Sequence, residues 1–286
     1  MIKEYGIGKR KPAGVAVVWL ILIVFSIWTL FPILWAVITS FKQPGDSFKA
    51  TFIPFVQFKP TLHAWKDAFV TAGDRTLRSL MNSIIIATIS SAATLLLGAF
   101  AGYSLARYEY KRWKNKDISF FILTQRMFPP VAVLIPYFLI MQNLRLLDSL
   151  LAIIMIHTTM NLPLSVWLML DFFSGIPHDM EEAALIDGCG HFKAFLYIAL
   201  PIAAPGLVAV YVLSFILSWN EFIFVVVFGY KNSMTLPVMI AGSLSVRGLD
   251  FWKVASLSIL AIIPPVILAV VFSRYLVRGL TMGAIK

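Results

Sequence analysis

The chain has 286 residues, of which 59% are hydrophobic and only 13% charged, and its mean hydropathy is +0.85. A water-facing domain carries about a quarter charged and about half apolar residues, so this composition excludes an ordinary soluble globule and makes the bilayer the natural solvent. The formal net charge of +10 does not point to nucleic acid, because the cations flank apolar runs, where Lys and Arg set membrane orientation, and no basic stripe is interleaved with exposed aromatics.

Six apolar segments reach the roughly 20 residues that a spanning helix needs: 14–41, 79–106, 117–142, 149–173, 203–229 and 254–277. The first follows Lys3, Lys9, Arg10 and Lys11. A secretory leader has the same charge order, but its apolar core is about 7–15 residues long, so 14–41 reads as a retained helix. The fold class expected is an all-α membrane protein with one transmembrane domain at 14–277, an amino-terminal segment at 1–13 and a tail at 278–286. Several prolines fall in or near the spans (Pro32, Pro129, Pro130, Pro136, Pro163, Pro264 and Pro265). Such breaks are tolerated where neighbouring groups satisfy the freed carbonyls.

Cation density sets the expected orientation. Arg107, Lys111, Arg112, Lys114 and Lys116 crowd one short connection, whereas the 42–78 loop spreads its cations thinly. The rule applies most strictly to short loops, so both termini and the 174–202 connection are expected in the cytoplasm. The 42–78 loop then lies outside, and Pro44, Gly45, Pro54 and Pro60 suggest a small cap with a short helix near Leu62–Phe69.

The inner connection reads PHDMEEAALIDGCGHFKAFLYIALP over 177–201. Pro177 suits a first helical turn, and Asp179, Glu181 and Glu182 complement the positive end of the helix dipole. Gly188 provides a left-handed stop, and a second short helix from His191 to about Ala199 is expected to end before Pro201. Each helix is about 15 Å long at 1.5 Å per residue, too short to span. The pattern therefore predicts a helix–turn–helix elbow. A linker lying on lipid headgroups is the alternative, and its acidic residues suit anionic lipid poorly. Cys189, the lone cysteine, reads as a small turn residue with no disulfide partner in the chain.

The same segment resembles the signature loop of permease subunits of ATP-binding-cassette importers. That pattern is Glu-Ala-Ala, three residues, Gly, nine residues, Ile, one residue, Leu-Pro. Glu182, Ala183, Ala184, Gly188, Ile198, Leu200 and Pro201 match it at full spacing, and Asp187 fits the Asp-Gly often seen there. Over about residues 10–286 the chain is similar to binding-protein-dependent sugar permeases of the maltose-importer group. Trp219–Phe222 and the ending Arg278–Lys286 carry that subgroup likeness.

The resemblance implies a bacterial or archaeal inner-membrane subunit that translocates a sugar or sugar derivative by alternating access. It implies four kinds of partner: a second homologous permease in a heterodimer, two ATP-binding subunits, an extracytoplasmic solute-binding protein and membrane lipid. The ATPase-coupling residues would be Glu181, Glu182, Ala183, Ala184, Asp187, Gly188, Ile198, Leu200 and Pro201. Met234, Thr235, Leu236 and Pro237 would touch the binding protein. The chain holds no GxxxxGK[ST] loop, so ATP and Mg²⁺ would be bound on the partner ATPase chains, and this subunit would not be an enzyme or carry a cofactor or metal itself.

Ionisable and polar groups inside spans are costly and default to function. Arg126, Asn161, Asn220 and Glu221 are candidates for the substrate path, with His157, Thr158 and Thr159 nearby in sequence. The other reading makes them interhelical ties, for example an Arg126–Glu221 pair. Other readings stay open, among them a membrane enzyme, which would need a converging catalytic set that the chain does not show. A permease for a non-sugar solute would carry the same elbow, whereas a secondary transporter would use Glu221 as its coupling acid and leave the elbow without a purpose.

Overall fold

A computed structural model describes residues 12–245 and 248–282, and side chains within 15–243 and 250–275. The amino-terminal cations Lys3 to Lys11, Arg247 and the tail residues 283–286 lie outside the described residues. The helices in chain order are α1 (Pro12–Ser40), α2 (His63–Lys66), α3 (Gly73–Arg107), α4 (Asn115–Thr124), α5 (Pro130–Asn143), α6 (Leu150–Ser174), α7 (Asp179–Ile186), α8 (His191–Ala194), α9 (Leu200–Ile202), α10 (Ala204–Trp219), α11 (Ile223–Phe228), α12 (Leu236–Ala241) and α13 (Phe251–Met282). A two-residue hairpin, β1 (Leu244–Ser245) with β2 (Gly248–Leu249), precedes α13. Among the described residues four helices are long and apolar enough to cross a membrane, and up to six spans result when each of two sharply bent helix pairs counts as one.

The chain divides into two units. One comprises 1–71 and 243–259. Its loop carries α2 followed by a π-turn over Asp67–Thr71, where a short helix was expected. Lys42 is fully buried there, 4.4 Å from the Trp35 ring centre and donating to the Lys49 carbonyl at 3.1 Å. Burial pushes its ammonium below the usual lysine range, against a smaller upward pull from Asp46. Lys253 and Asp67 pair at 3.1 Å.

The second unit comprises 72–242 and 260–286, and its spine is α3 against α6. The stripe Ser79, Ser83, Ala87, Ser91, Thr94, Gly98 and Gly102 runs down the buried face of α3. Small residues let two backbones approach, which is the main source of helix adhesion in lipid. A Cβ on Gly102 would sit 2.7 Å from the Leu170 nitrogen, and one on Gly98 would overlap Ser165 Oγ. Ser165 Oγ donates to the Thr94 carbonyl at 3.1 Å across the same seam.

Two expected spans are broken. Segment 117–142 is α4, prolonged by a 3₁₀ turn to Met127, and then α5 at 92° to it. Pro129 forces Phe128 into extended backbone, at ψ 130°, and Pro130 opens a new helix. Segment 203–229 stops at Trp219 and restarts at Ile223, because the Glu221 carboxylate takes the N–H groups of Phe224 and Val225 at 3.1 and 3.3 Å. In α13, Pro265 has no N–H for the Ala261 carbonyl, and Trp219 Nε1 donates to that oxygen at 3.1 Å instead.

Candidate functional site

The elbow is present, with shifted edges. Pro177 lies just ahead of the first arm, and α7 begins at Asp179 with Glu181 and Glu182 nitrogens on the His178 carbonyl. Gly188 adopts φ +87°. Its N–H reaches the Leu185 carbonyl at 3.1 Å and the Cys189 N–H reaches Ala184 at 2.9 Å, the paired bonds of a Schellman stop. The second arm does not end before Pro201. It runs from α8 through a π-turn at Phe195–Ala199 into α9, and the whole arm meets α10 at 77°.

The two faces of α7 differ. Glu182, Ala183, Ile186, Asp187 and Gly188 are exposed, Ile186 to 86%. Glu181 and Ala184 face inward and are buried. Glu181, expected among the docking residues, is therefore turned away from any partner. Its Oε1 accepts from Arg107 Nε at 2.8 Å and lies 2.7 Å from Arg107 Nη2, while its Oε2 accepts from Tyr103 Oη at 2.5 Å. Arg107 Nη2 also donates to the Ile176 carbonyl at 3.1 Å. In the second arm, Phe195 and Ala199 enter a core with Tyr103, Met169 and Phe173. Ile198 and Leu200 are half-buried, Leu200 against that core, and Pro201 is exposed.

Within the bundle, Arg126, His157, Asn161 and Glu221 line one cleft of about 230 Å³, joined by Phe128, Pro130 and Phe224. Arg126 Nη1 donates to the Met160 carbonyl at 2.8 Å and to Asn161 Oδ1 at 3.3 Å. No Arg126–Glu221 pair forms. Glu221 Oε2 lies 3.3 Å from His157 Nε2, an ion pair only when the imidazole is protonated, and without hydrogen-bond alignment. His157 Nδ1 meets Ser218 Oγ at 2.6 Å, and Ser218 meets Ser90 at 2.9 Å. Asn220 does not join the cleft lining. It is exposed and its amide donates to the Ile216 carbonyl of its own helix at 2.8 Å.

The loop before α12 is held from below. Asp148, at φ +56°, accepts from the backbone of Lys231, Asn232 and Ser233 and from the Ser233 hydroxyl. Burial pushes its carboxyl up, but these donors outweigh it and hold it below the usual carboxylate range. Asn82 and Ser83 fasten the same loop through the carbonyls of Asn232 and Met234 and the Leu236 N–H. Thr235 and Leu236 are buried, so of residues 234–237 Met234 and Pro237 alone are partly accessible. Neither Asp148 nor the Tyr103–Arg107–Glu181 cluster is marked by spacing in the sequence, since each joins residues more than 70 positions apart.

Residues 94–282 match the family described as the inner membrane component of binding-protein-dependent transport systems. The chain is 35% identical over 271 residues to the trehalose/maltose transport system permease protein MalG of Thermococcus litoralis, covering 92% of this chain and 94% of the relative. It is 34% identical to the sulfoquinovosyl glycerol transport system permease protein SmoH of Agrobacterium fabrum, covering 90% and 89%. The fold superposes with a TM-score of 0.74 on a chain of a bacterial ABC transporter that imports the acidic polysaccharide alginate, at 21% identity and covering 91% of this chain and 95% of that one.

Proposed function

The chain belongs to the family of inner-membrane components of binding-protein-dependent transport systems, and from that premise we propose that it is one permease subunit of an ATP-driven importer for a sugar or sugar derivative. A solute-binding protein delivers the cargo, and two separate ATP-binding subunits, which hold ATP and Mg²⁺, drive alternating access. The observation that carries this reading is the elbow: a short, fully stopped helix whose signature residues Glu182, Ala183, Asp187 and Gly188 stand exposed. Ala183 lets a partner surface come close, Glu182 and Asp187 offer charge, and Ile186 offers apolar surface. The sugar class rests on the relatives named above.

The Arg107–Glu181 pair supports the orientation. It ties the elbow to the end of α3, where the cation-rich 107–116 connection begins, so the same rule of charge places both in the cytoplasm. α1 is exposed from Val15 to Leu34, which suits lipid and the second permease of a heterodimer. Arg126, Asn161, His157 and Glu221 line the path, and Met234 and Pro237 meet the binding protein. Co-purification with an ATP-binding subunit, and ATP hydrolysis stimulated by a binding protein in the solubilised complex, test the reading. An unstimulated complex would sink it.

A further inference from the structure

The elbow carries the docking face, but α7 itself has little to hold it. Its only buried residues are Glu181 and Ala184. Both of its ends are turns, one at 175–178 and one at Gly188–Gly190. A helix anchored by one methyl group would roll about its axis under load. Resting on the reading of the elbow as the ATPase-docking lever, we propose that Tyr103, Arg107 and Glu181 are positioning residues that form its joint. They make α7 move as one body with α3, so that displacement of the docking face reaches the bundle through the second span.

The geometry of one short stretch of α3 supports this. Arg107, the last residue of α3, grips the chain entering α7 at the Ile176 carbonyl and α7 itself at Glu181. One turn earlier, Tyr103 donates to the other carboxylate oxygen. Its ring packs at 4.7 Å on Phe195 of the second arm and at 5.4 Å on Phe173 of α6. A single helical turn thus holds the entry, the first arm and the second arm. Both oxygens of Glu181 are engaged by directional bonds, which fix the rotation of α7 in a way that apolar contact cannot. On an eight-residue helix, residues 182, 183 and 186 then face opposite to 181 and 184. Charge-assisted bonds are short and stiff, and the pair is shielded, with side chains only 6% and 8% exposed.

The test uses the full complex of this chain, its partner permease, the ATP-binding subunits and the binding protein, reconstituted in liposomes. The readout is solute taken up per ATP hydrolysed. Glu181→Gln keeps the shape but weakens the bonds from Tyr103 and Arg107 to the first arm, and uptake per ATP is expected to fall about tenfold. Tyr103→Phe removes one bond and should shift the ratio in the same direction by less. A purely structural role would lower uptake and hydrolysis together, in proportion to the assembled complex, and that result, or an unchanged ratio in both variants, would overturn the proposal. A wild-type complex without binding-protein-stimulated hydrolysis would instead remove the importer reading on which the joint rests.

Discussion

Glu181 at the elbow and Glu221 in the cleft are both shielded carboxylates, with side chains 8% and 20% exposed, and they are held in opposite ways. Glu181 is bound by other elements: a permanent cation and a phenol on α3. Glu221 is bound chiefly by its own neighbours, the Phe224 and Val225 N–H groups that open α11. Its distant partner among the described residues is His157, which is charged only if protonated. Removing the distant partner strands a charge in the first case and leaves a capped helix in the second. The elbow root is therefore built to stay closed, whereas the cleft can exchange partners without exposing an unsatisfied anion, which suits the path for polar cargo proposed above.

The largest effect should come from breaking the fixed pair. Arg107→Ala leaves Glu181 buried without its cation, and loss of one partner of a buried pair costs about 3–5 kcal/mol. Thermal unfolding of the detergent-solubilised protein measures it, and a cost under about 1 kcal/mol would erase the contrast. His157→Gln should cost about 1–3 kcal/mol, the range when a buried group, here the Ser218 hydroxyl, loses a hydrogen-bond partner, since Glu221 keeps its backbone donors. If the two substitutions cost the same, Glu221 is as dependent on its distant partner as Glu181, and the distinction between closed root and adjustable cleft fails.

The local parts of this molecule were readable from the chain and the distant ones were not. The acidic first turn, the left-handed Gly188 and the short first arm are set by neighbours in sequence, so the elbow could be anticipated, whereas the run of the second arm through Pro201 to Ile202 was not. Small residues recur at helical spacing from Ser79 to Gly102, but only the packing of Thr94, Gly98 and Gly102 on α6 shows which helix they meet. The Phe128-Pro129-Pro130 run carries the break in the third span, but tolerance of proline in membrane helices pointed towards a continuous one. The partners of Arg126 and Glu181 depend on which helix ends meet. The expected Arg126–Glu221 pair assumed that opposite charges find each other, but Met160, Asn161 and His157 lie nearer. Thr235 and Leu236 looked accessible as loop residues, and only the Asp148 and Ser83 anchors show why they are drawn inward.

Gly188 gives the smallest expected effect. A Cβ there would meet nothing within 4 Å, so sterics with neighbours contribute no penalty and the positive φ alone decides. Gly188→Ala should cost about 1–2 kcal/mol, the strain of an L-residue in left-handed backbone. Asn tolerates that region better than Ala, so Gly188→Asn should cost less. The order Gly, Asn, Ala should appear both in unfolding and in co-purification of the ATP-binding subunit, because the same Schellman bonds fix the angle between the arms. Suppose Ala and Asn unfold alike but differ from Gly in co-purification. Then the exposed turn itself touches the partner, and Gly188 belongs to the docking face rather than only to the bend behind it.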